Sequence, residues 1–290
     1  MPEVAARGYT SGLGAHLDEP RCVLSVNVNA LNYCAYDVVL LQRRHSDALH
    51  AYLAVPNTLE SAWIDVYELP SGHRVVEALG RSDAVRDGAY RPPIVMALQM
   101  LLSENLLYIA AGYEDGGVQA WALQCDVDGA FLGAASLLWS HVPLSESIMA
   151  LCVAPDATVL YVGADERLAR LALTPGASPE VHMLPRTGNA CIAVRPDYRA
   201  VAIGAWDGRV RVFSADISLL ATLSYHKASV YAIAFARHGD AVHRLDVDSE
   251  DSSDDDEGLG ISHRLLACGS KDGRISLWDV PWTCLLYTSP

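Results

Sequence analysis

Four aspartates stand at the same place in four similar stretches, and this recurrence limits the fold more than any other feature of the chain. Asp115, Asp165, Asp207 and Asp272 lie 50, 42 and 65 residues apart. Each sits in a short polar turn between two apolar runs of strand length. Asp in such a turn bonds nearby backbone, and an adjacent Gly takes positive φ at no steric cost. Six residues after each aspartate comes a large apolar residue: Trp121, Leu171, Phe213 and Trp278. Hairpin units recurring every 40–45 residues or so mark a radial all-β architecture. The longest interval fits that period once about 22 residues before the last turn are treated as inserted. The competing reading is four unrelated hairpins in a β-sandwich, since Asp-Gly turns occur in any sheet.

The last unit is the fullest. Leu265-Leu266-Ala267-Cys268 runs into Gly269-Ser270-Lys271-Asp272-Gly273, and a second strand ends in Trp278-Asp279. This hairpin resembles the blade of a WD-repeat β-propeller. The chain is therefore read as all-β, a WD-repeat β-propeller with about five recognisable blades. The first draws on Arg21–Tyr36, Val38–Leu41, Ala48–Val55, Ala62–Leu69 and Val75-Val76, and its Pro56–Ser61 turn lacks the Asp-Gly pair. The second has Ile94–Leu101, Leu106–Ala111, Val118–Leu123 and Ala135–Trp139; the third, Ile148–Val153, Thr158–Val162 and Leu168–Leu173. The fourth has Cys191–Val194, Ala200–Ile203, Val210–Phe213 and Leu219–Leu223, and the fifth starts with Ser229–Phe235. Trp206-Asp207 lies inside a turn and is not a blade-ending dipeptide.

In the fifth unit His226, Asp272 and Trp278 are placed to form the hydrogen-bond network of a WD blade, which satisfies buried polar groups. Asp115, Trp121, Asp165 and Asp207 are their counterparts in other units. The network normally takes a hydroxyl from the second strand, four residues before the aspartate. Cys268 stands there, so an incomplete network is expected. The alternative role for His226, as a base or metal ligand, is disfavoured by its place just before Ala228-Ser229-Val230. Tyr113, Trp206 and Tyr225 lie in or beside turns, where aromatics serve either as binding anchors or as packing between blades; for Trp206 packing is favoured.

Residues 1–20 read as a loose segment, 21–280 as the propeller and 281–290 as an uncertain tail, with Trp282–Thr288 a candidate final strand. Five units fall short of the usual WD ring, so N-terminal blades are expected to be missing. A disordered acidic insertion is expected over about residues 241–262. The net charge is −14, and eight carboxylates fall between Asp246 and Glu257: Asp246, Asp248, Glu250, Asp251, Asp254, Asp255, Asp256 and Glu257. They form either a solvated loop or a docking segment for a basic partner such as a histone tail. Ser252 and Ser253 each have an acid three residues on, which suits an acid-directed kinase.

The absence of a broad basic field argues against direct nucleic-acid binding. The most apolar stretch, Ile94–Gly112, is broken by Gln99, Ser103, Glu104 and Asn105 and reads as two strands and a turn, with no membrane span. The seven cysteines form no Cys-x-x-Cys pair and read as reduced thiols. There is no Gly-x-Ser-x-Gly, phosphate loop or His-Glu-x-x-His. No catalytic, cofactor-binding or metal-binding residue is assigned, and no small-molecule substrate is expected.

A family resemblance rests on an ordered series: Ala110-Ala111-Gly112-Tyr113-Glu114-Asp115-Gly116, Ala190-Cys191-Ile192-Ala193-Val194-Arg195-Pro196-Asp197, Gly204-Ala205-Trp206-Asp207-Gly208-Arg209-Val210-Arg211-Val212-Phe213, Ser224-Tyr225-His226-Lys227-Ala228-Ser229-Val230 and Gly269-Ser270-Lys271-Asp272-Gly273-Arg274-Ile275-Ser276-Leu277-Trp278. Over roughly residues 94–280 the chain resembles the ASTRA-associated WD-repeat proteins of fungi, relatives of the animal G-protein β-subunit-like proteins. The resemblance implies a usually seven-bladed ring and a non-catalytic subunit of an ASTRA-like assembly. It also implies links to chromatin remodelling and to maturation of PI3-kinase-like kinases, in the nucleus or also the cytoplasm. Two other readings stay open: a propeller enzyme of lactonase or glycosidase type, and a generic WD adaptor of another complex. Carboxylates or histidines gathered on the central channel would favour the enzyme.

Overall fold

Short apolar runs punctuated by turn residues fold as strands, and strands dominate the structure. The computed structural model describes residues 22, 24–29, 34–41, 50–81, 93–126, 130–236 and 265–280. Among them are nineteen strands and no helix. The loose N-terminal segment, the acidic insertion and the tail all lie outside the described residues.

The strands group in chain order into five antiparallel sheets. The first sheet is β1 (Asp37–Leu41), β2 (His50–Pro56), β3 (Ile64–Leu69) and β4 (His73–Leu79); the second is β5 (Val95–Ser103), β6 (Leu106–Tyr113), β7 (Val118–Gln124) and β8 (Ser136–His141). The third holds β9 (Ile148–Val153), β10 (Thr158–Gly163), β11 (Arg167–Ala172) and β12 (Glu180–Met183); the fourth holds β13 (Asn189–Val194), β14 (Ala200–Ala205), β15 (Arg209–Ser214) and β16 (Leu219–Ser224). The fifth has three described strands, β17 (Val230–Phe235), β18 (Leu265–Ser270) and β19 (Ile275–Asp279). Every sheet is a meander of neighbouring strands, the topology of a propeller blade.

The first strands of consecutive sheets pack side by side, β1 on β5, β5 on β9, β9 on β13 and β13 on β17. Four cores fill the four spaces between sheets. The period of a strand makes this possible: in β10, Val159 and Tyr161 join the core shared with the second sheet, while Leu160 and Val162 join the core shared with the fourth. Both faces of the middle sheets are thus buried, which explains second strands as continuously apolar as Ala200–Ala205. The approach is close. A Cβ on Gly112 in β6 would stand 2.4 Å from the Ile148 side chain of the next sheet.

The strand reading of Ile94–Gly112 holds: β5 and β6 pair across a turn at Glu104-Asn105. Two expectations need correction. The described residues of Arg21–Tyr36 form no strand, and the first sheet begins at Asp37. The third sheet has a fourth strand, β12, that the apolar pattern did not reveal. Its sequence Glu-Val-His-Met is largely exposed and has no apolar face to advertise.

Candidate functional site: the turn face of the sheets

The turns joining second to third strands and the loops preceding first strands lie at one end of the sheets, and the same contacts recur there. In each of four turns the aspartate Oδ1 accepts the amide two residues on: Gly117 to Asp115 at 2.9 Å, Arg167 to Asp165 at 3.1 Å, Arg209 to Asp207 at 3.1 Å and Arg274 to Asp272 at 3.1 Å. The residue before each aspartate ties the turn to the loop ahead of the same sheet. Glu114 donates to the Ile94 carbonyl, Ala164 to Ser147, Trp206 to Gly188 and Lys271 to Ser229. A register shift follows in each first pair of strands, as between Asn189 and Cys191 and between Val230 and Ala232. One local sequence solution therefore builds four copies of one corner.

The fifth sheet carries the most complete polar network. His226 Nδ1 lies 3.3 and 3.2 Å from the two Asp272 oxygens, and its Nε2 lies 2.9 Å from Ser276 Oγ. The Trp278 indole N–H donates to that same Oγ at 2.8 Å. The Lys227 amide also donates to Asp272 at 3.1 Å. The incomplete network expected from Cys268 is not what forms: Ser276 on β19 supplies the hydroxyl. These two residues face each other across the β18–β19 pair, so a hydroxyl on either strand reaches the same point. The signal in the sequence is a serine four residues after the turn aspartate and two before the tryptophan.

Ser276, His226 and Asp272 also have the connectivity of a nucleophile, base and orienting carboxylate. Their surroundings assign a different role. Ser276 is buried, and its oxygen already accepts the indole N–H while facing the imidazole. With Nδ1–H toward Asp272, Nε2 accepts the serine proton, and the bonds run in one line from Trp278 through Ser276 and His226 to Asp272. Cys268 behind it is pushed up to about 11 by burial, so this thiol is not an activated nucleophile.

The other sheets carry other residues at the position four after the aspartate, and their corners differ accordingly. In the fourth, buried Arg211 places Nη2 2.6 Å from Asp207 Oδ2. Burial alone would raise the Asp207 carboxyl; the Arg211 guanidinium and the Arg209 amide outweigh it and hold the group below the usual carboxylate range. In the third the position is Ala169, and buried Asp165 has Arg167 Nε at 3.8 Å. In the second it is Gln119, which accepts the Tyr113 hydroxyl at 3.3 Å. Trp121 is buried in the core between the first and second sheets. The first sheet has a substitute that sequence reasoning missed. Asn57 Nδ2 donates to both oxygens of buried Asp65 at 3.0 Å, and Asp65 accepts the Ala78 amide at 2.8 Å. An aspartate amid Trp63-Ile64-Asp65-Val66-Tyr67 is the trace of it in the sequence.

The three turn aromatics divide. Tyr113 is buried, and its phenol is pushed up chiefly by that burial. Trp206 lies over Gly188, where a Cβ would stand 2.5 Å from the indole, yet it remains 45% exposed. Tyr225 is 50% exposed and meets the His226 ring edge-on at 5.2 Å. The acidic run Asp246–Glu257 with Ser252 and Ser253 lies outside the described residues.

Meander sheets packed through their first strands, with an aspartate turn and a His–Ser–Trp network, define a WD-repeat β-propeller protein. The family described as "WD domain, G-beta repeat" matches residues 252–279, which include β18 and β19. The chain is similar over more of its length to ASTRA-associated protein 1 of Verticillium alfalfae, 31% identical over 298 residues, covering 90% of this chain and 67% of that protein. ASTRA-associated protein 1 of Aspergillus niger is 30% identical over 324 residues, with 90% and 72% covered. Guanine nucleotide-binding protein subunit beta-like protein 1 of Mus musculus is 31% identical over 235 residues, with 79% and 60% covered. The chain belongs to the ASTRA-associated protein 1 family.

Proposed function

We propose that the chain is a non-catalytic interaction scaffold, a nuclear subunit of an ASTRA-like assembly linked to chromatin remodelling and to maturation of PI3-kinase-like kinases. One observation carries the scaffold reading. The innermost strands β5, β9, β13 and β17 contain no Asp, Glu, His, Lys or Arg. A propeller enzyme gathers such groups on its channel, whereas here the polar groups of the sheets are spent on their own corners. Asp37 of β1 accepts the Met100 amide at 2.6 Å. Membership of a family whose members are named ASTRA-associated supports the choice of assembly.

Affinity purification of the tagged chain from its native cells, read by mass spectrometry, tests this. The expected result is co-recovery of a multi-subunit assembly together with PI3-kinase-like kinases. Recovery of an unrelated complex alone would favour a generic adaptor. The acidic run Asp246–Glu257 is a candidate docking segment for a basic partner such as a histone tail, strengthened by phosphate on Ser252 or Ser253. Deleting residues 246–257 is expected to lose that partner; unchanged recovery would reduce the segment to a solvated insertion.

A further inference from the structure

The charge of the turn face changes sign along the molecule. Toward the second and third sheets it presents Glu114, Asp115, Glu146 and half-buried Glu166, with Arg167 turned to Asp165. Toward the fourth and fifth it presents Arg186, Arg209, Lys227, Lys271 and Arg274, all exposed. These five cations come from four segments that touch. The Trp206 amide donates to Gly188, Ser229 Oγ donates to the Trp206 carbonyl at 3.3 Å, and the Lys271 amide donates to Ser229. Among the described residues none of the five has a carboxylate within salt-bridge reach. The carboxylates within these turns are already occupied, Asp207 by Arg211 and Asp272 by His226. Trp206 and Tyr225 stand half-exposed among these cations. In a chain of net charge −14, such a patch is a local reversal of the field.

We propose that this patch, Arg186, Trp206, Arg209, Lys227, Lys271 and Arg274, docks an acidic or phosphorylated peptide segment of a partner protein. The cations provide charge-assisted bonds to carboxylate or phosphate, and the Trp206 face provides an apolar anchor. A protein segment fits better than nucleic acid because acidic turns border the patch on its third-sheet side. A duplex carries a charge about every 1.7 Å and would run on over those carboxylates. The proposal deepens the scaffold reading and rests on it only for the partner being a protein. It is tested on the purified chain alone, so its failure is distinct from failure to recover an assembly.

The probe is a fluorescein-labelled peptide of about ten residues alternating Asp and Ser, with and without phosphate on the serines. An uncharged Gly-Ser peptide and single-stranded and duplex DNA of about 20 nucleotides complete the set, read by anisotropy. The acidic peptides are expected to bind and to weaken as salt rises. Lys227→Glu with Lys271→Glu is expected to weaken them about tenfold or more, and Trp206→Ala about fivefold. Arg199→Glu, exposed on a strand-joining turn at the opposite end of the sheets, is expected to change binding less than about twofold. Thermal melting of each variant at the wild-type midpoint shows that the fold is kept. Acidic peptide binding no tighter than the Gly-Ser control, or unmoved by the double reversal, overturns the proposal. So does tighter binding of DNA, which would assign the patch to nucleic acid. Binding that appears only after deletion of residues 246–257 also overturns it, by making the chain's own acidic segment the occupant.

Discussion

Ser276 concentrates the chemistry of the fifth sheet on one oxygen, which faces His226 Nε2 at 2.9 Å and accepts the Trp278 indole at 2.8 Å. Removing it leaves two polar groups short of a partner in a largely buried place, a loss of about 1–3 kcal/mol. Ser276→Ala is therefore expected to lower the urea midpoint without changing the slope, and an unchanged midpoint would show that the network contributes nothing. Asp207 gives a pH-dependent counterpart. Its carboxyl is held below the ordinary range when folded, so its stabilisation is complete above that range and is lost as pH falls through it. Asp272 behaves alike: burial opposes ionisation, but the Lys227 amide, His226 and the Arg274 amide together hold it low. Stability is expected to fall below about pH 4. Asp207→Asn is expected to lower stability at neutral pH and to flatten that acid limb; an acid limb as steep as wild type would contradict the assignment.

The unit that repeats is the corner where a strand-joining turn meets the loop ahead of its own sheet, and the following sheet packs against it. Gly208 shows how tightly it is built: it takes φ +78°, and a Cβ there would stand 2.5 Å from the His226 carbonyl oxygen. Gly208→Ala combines backbone strain with overpacking, each about 1–3 kcal/mol, and is expected to destabilise by more than Ser276→Ala. Near-neutral behaviour in thermal melts would mean that the corner is looser than its contacts indicate. The turn aspartates were legible because an Asx bond is local and leaves a mark two residues long. Ser276 was not, because the hydroxyl crossed to the facing strand and only the strand register reveals the exchange. Asn57 with Asp65 escaped for a similar reason, since their contact spans a turn without the Asp-Gly pair. β12 was invisible because a half-exposed outer strand such as Glu180–Met183 needs no apolar period.

Five sheets with four shared cores form an array in which each sheet's stability depends on its neighbour. The sequence period already implied a radial array, because hairpin units recur at the spacing of propeller blades. The charge division of the turn face was not legible. Its cations come from loops up to 88 residues apart, Arg186 to Arg274, and only the fold gathers them. The innermost strands β5, β9, β13 and β17 without carboxylates, histidines or basic residues, the polar groups drawn to the corners and the basic aromatic patch make association the property this molecule is built to provide. Crosslinking mass spectrometry on the assembly purified from native cells, with a reagent that joins lysine amines to carboxylates, tests that most directly. Lys227 and Lys271 are expected to crosslink to an acidic segment of another subunit. A chain recovered without partners, or an assembly in which neither lysine joins another subunit, would contradict the account.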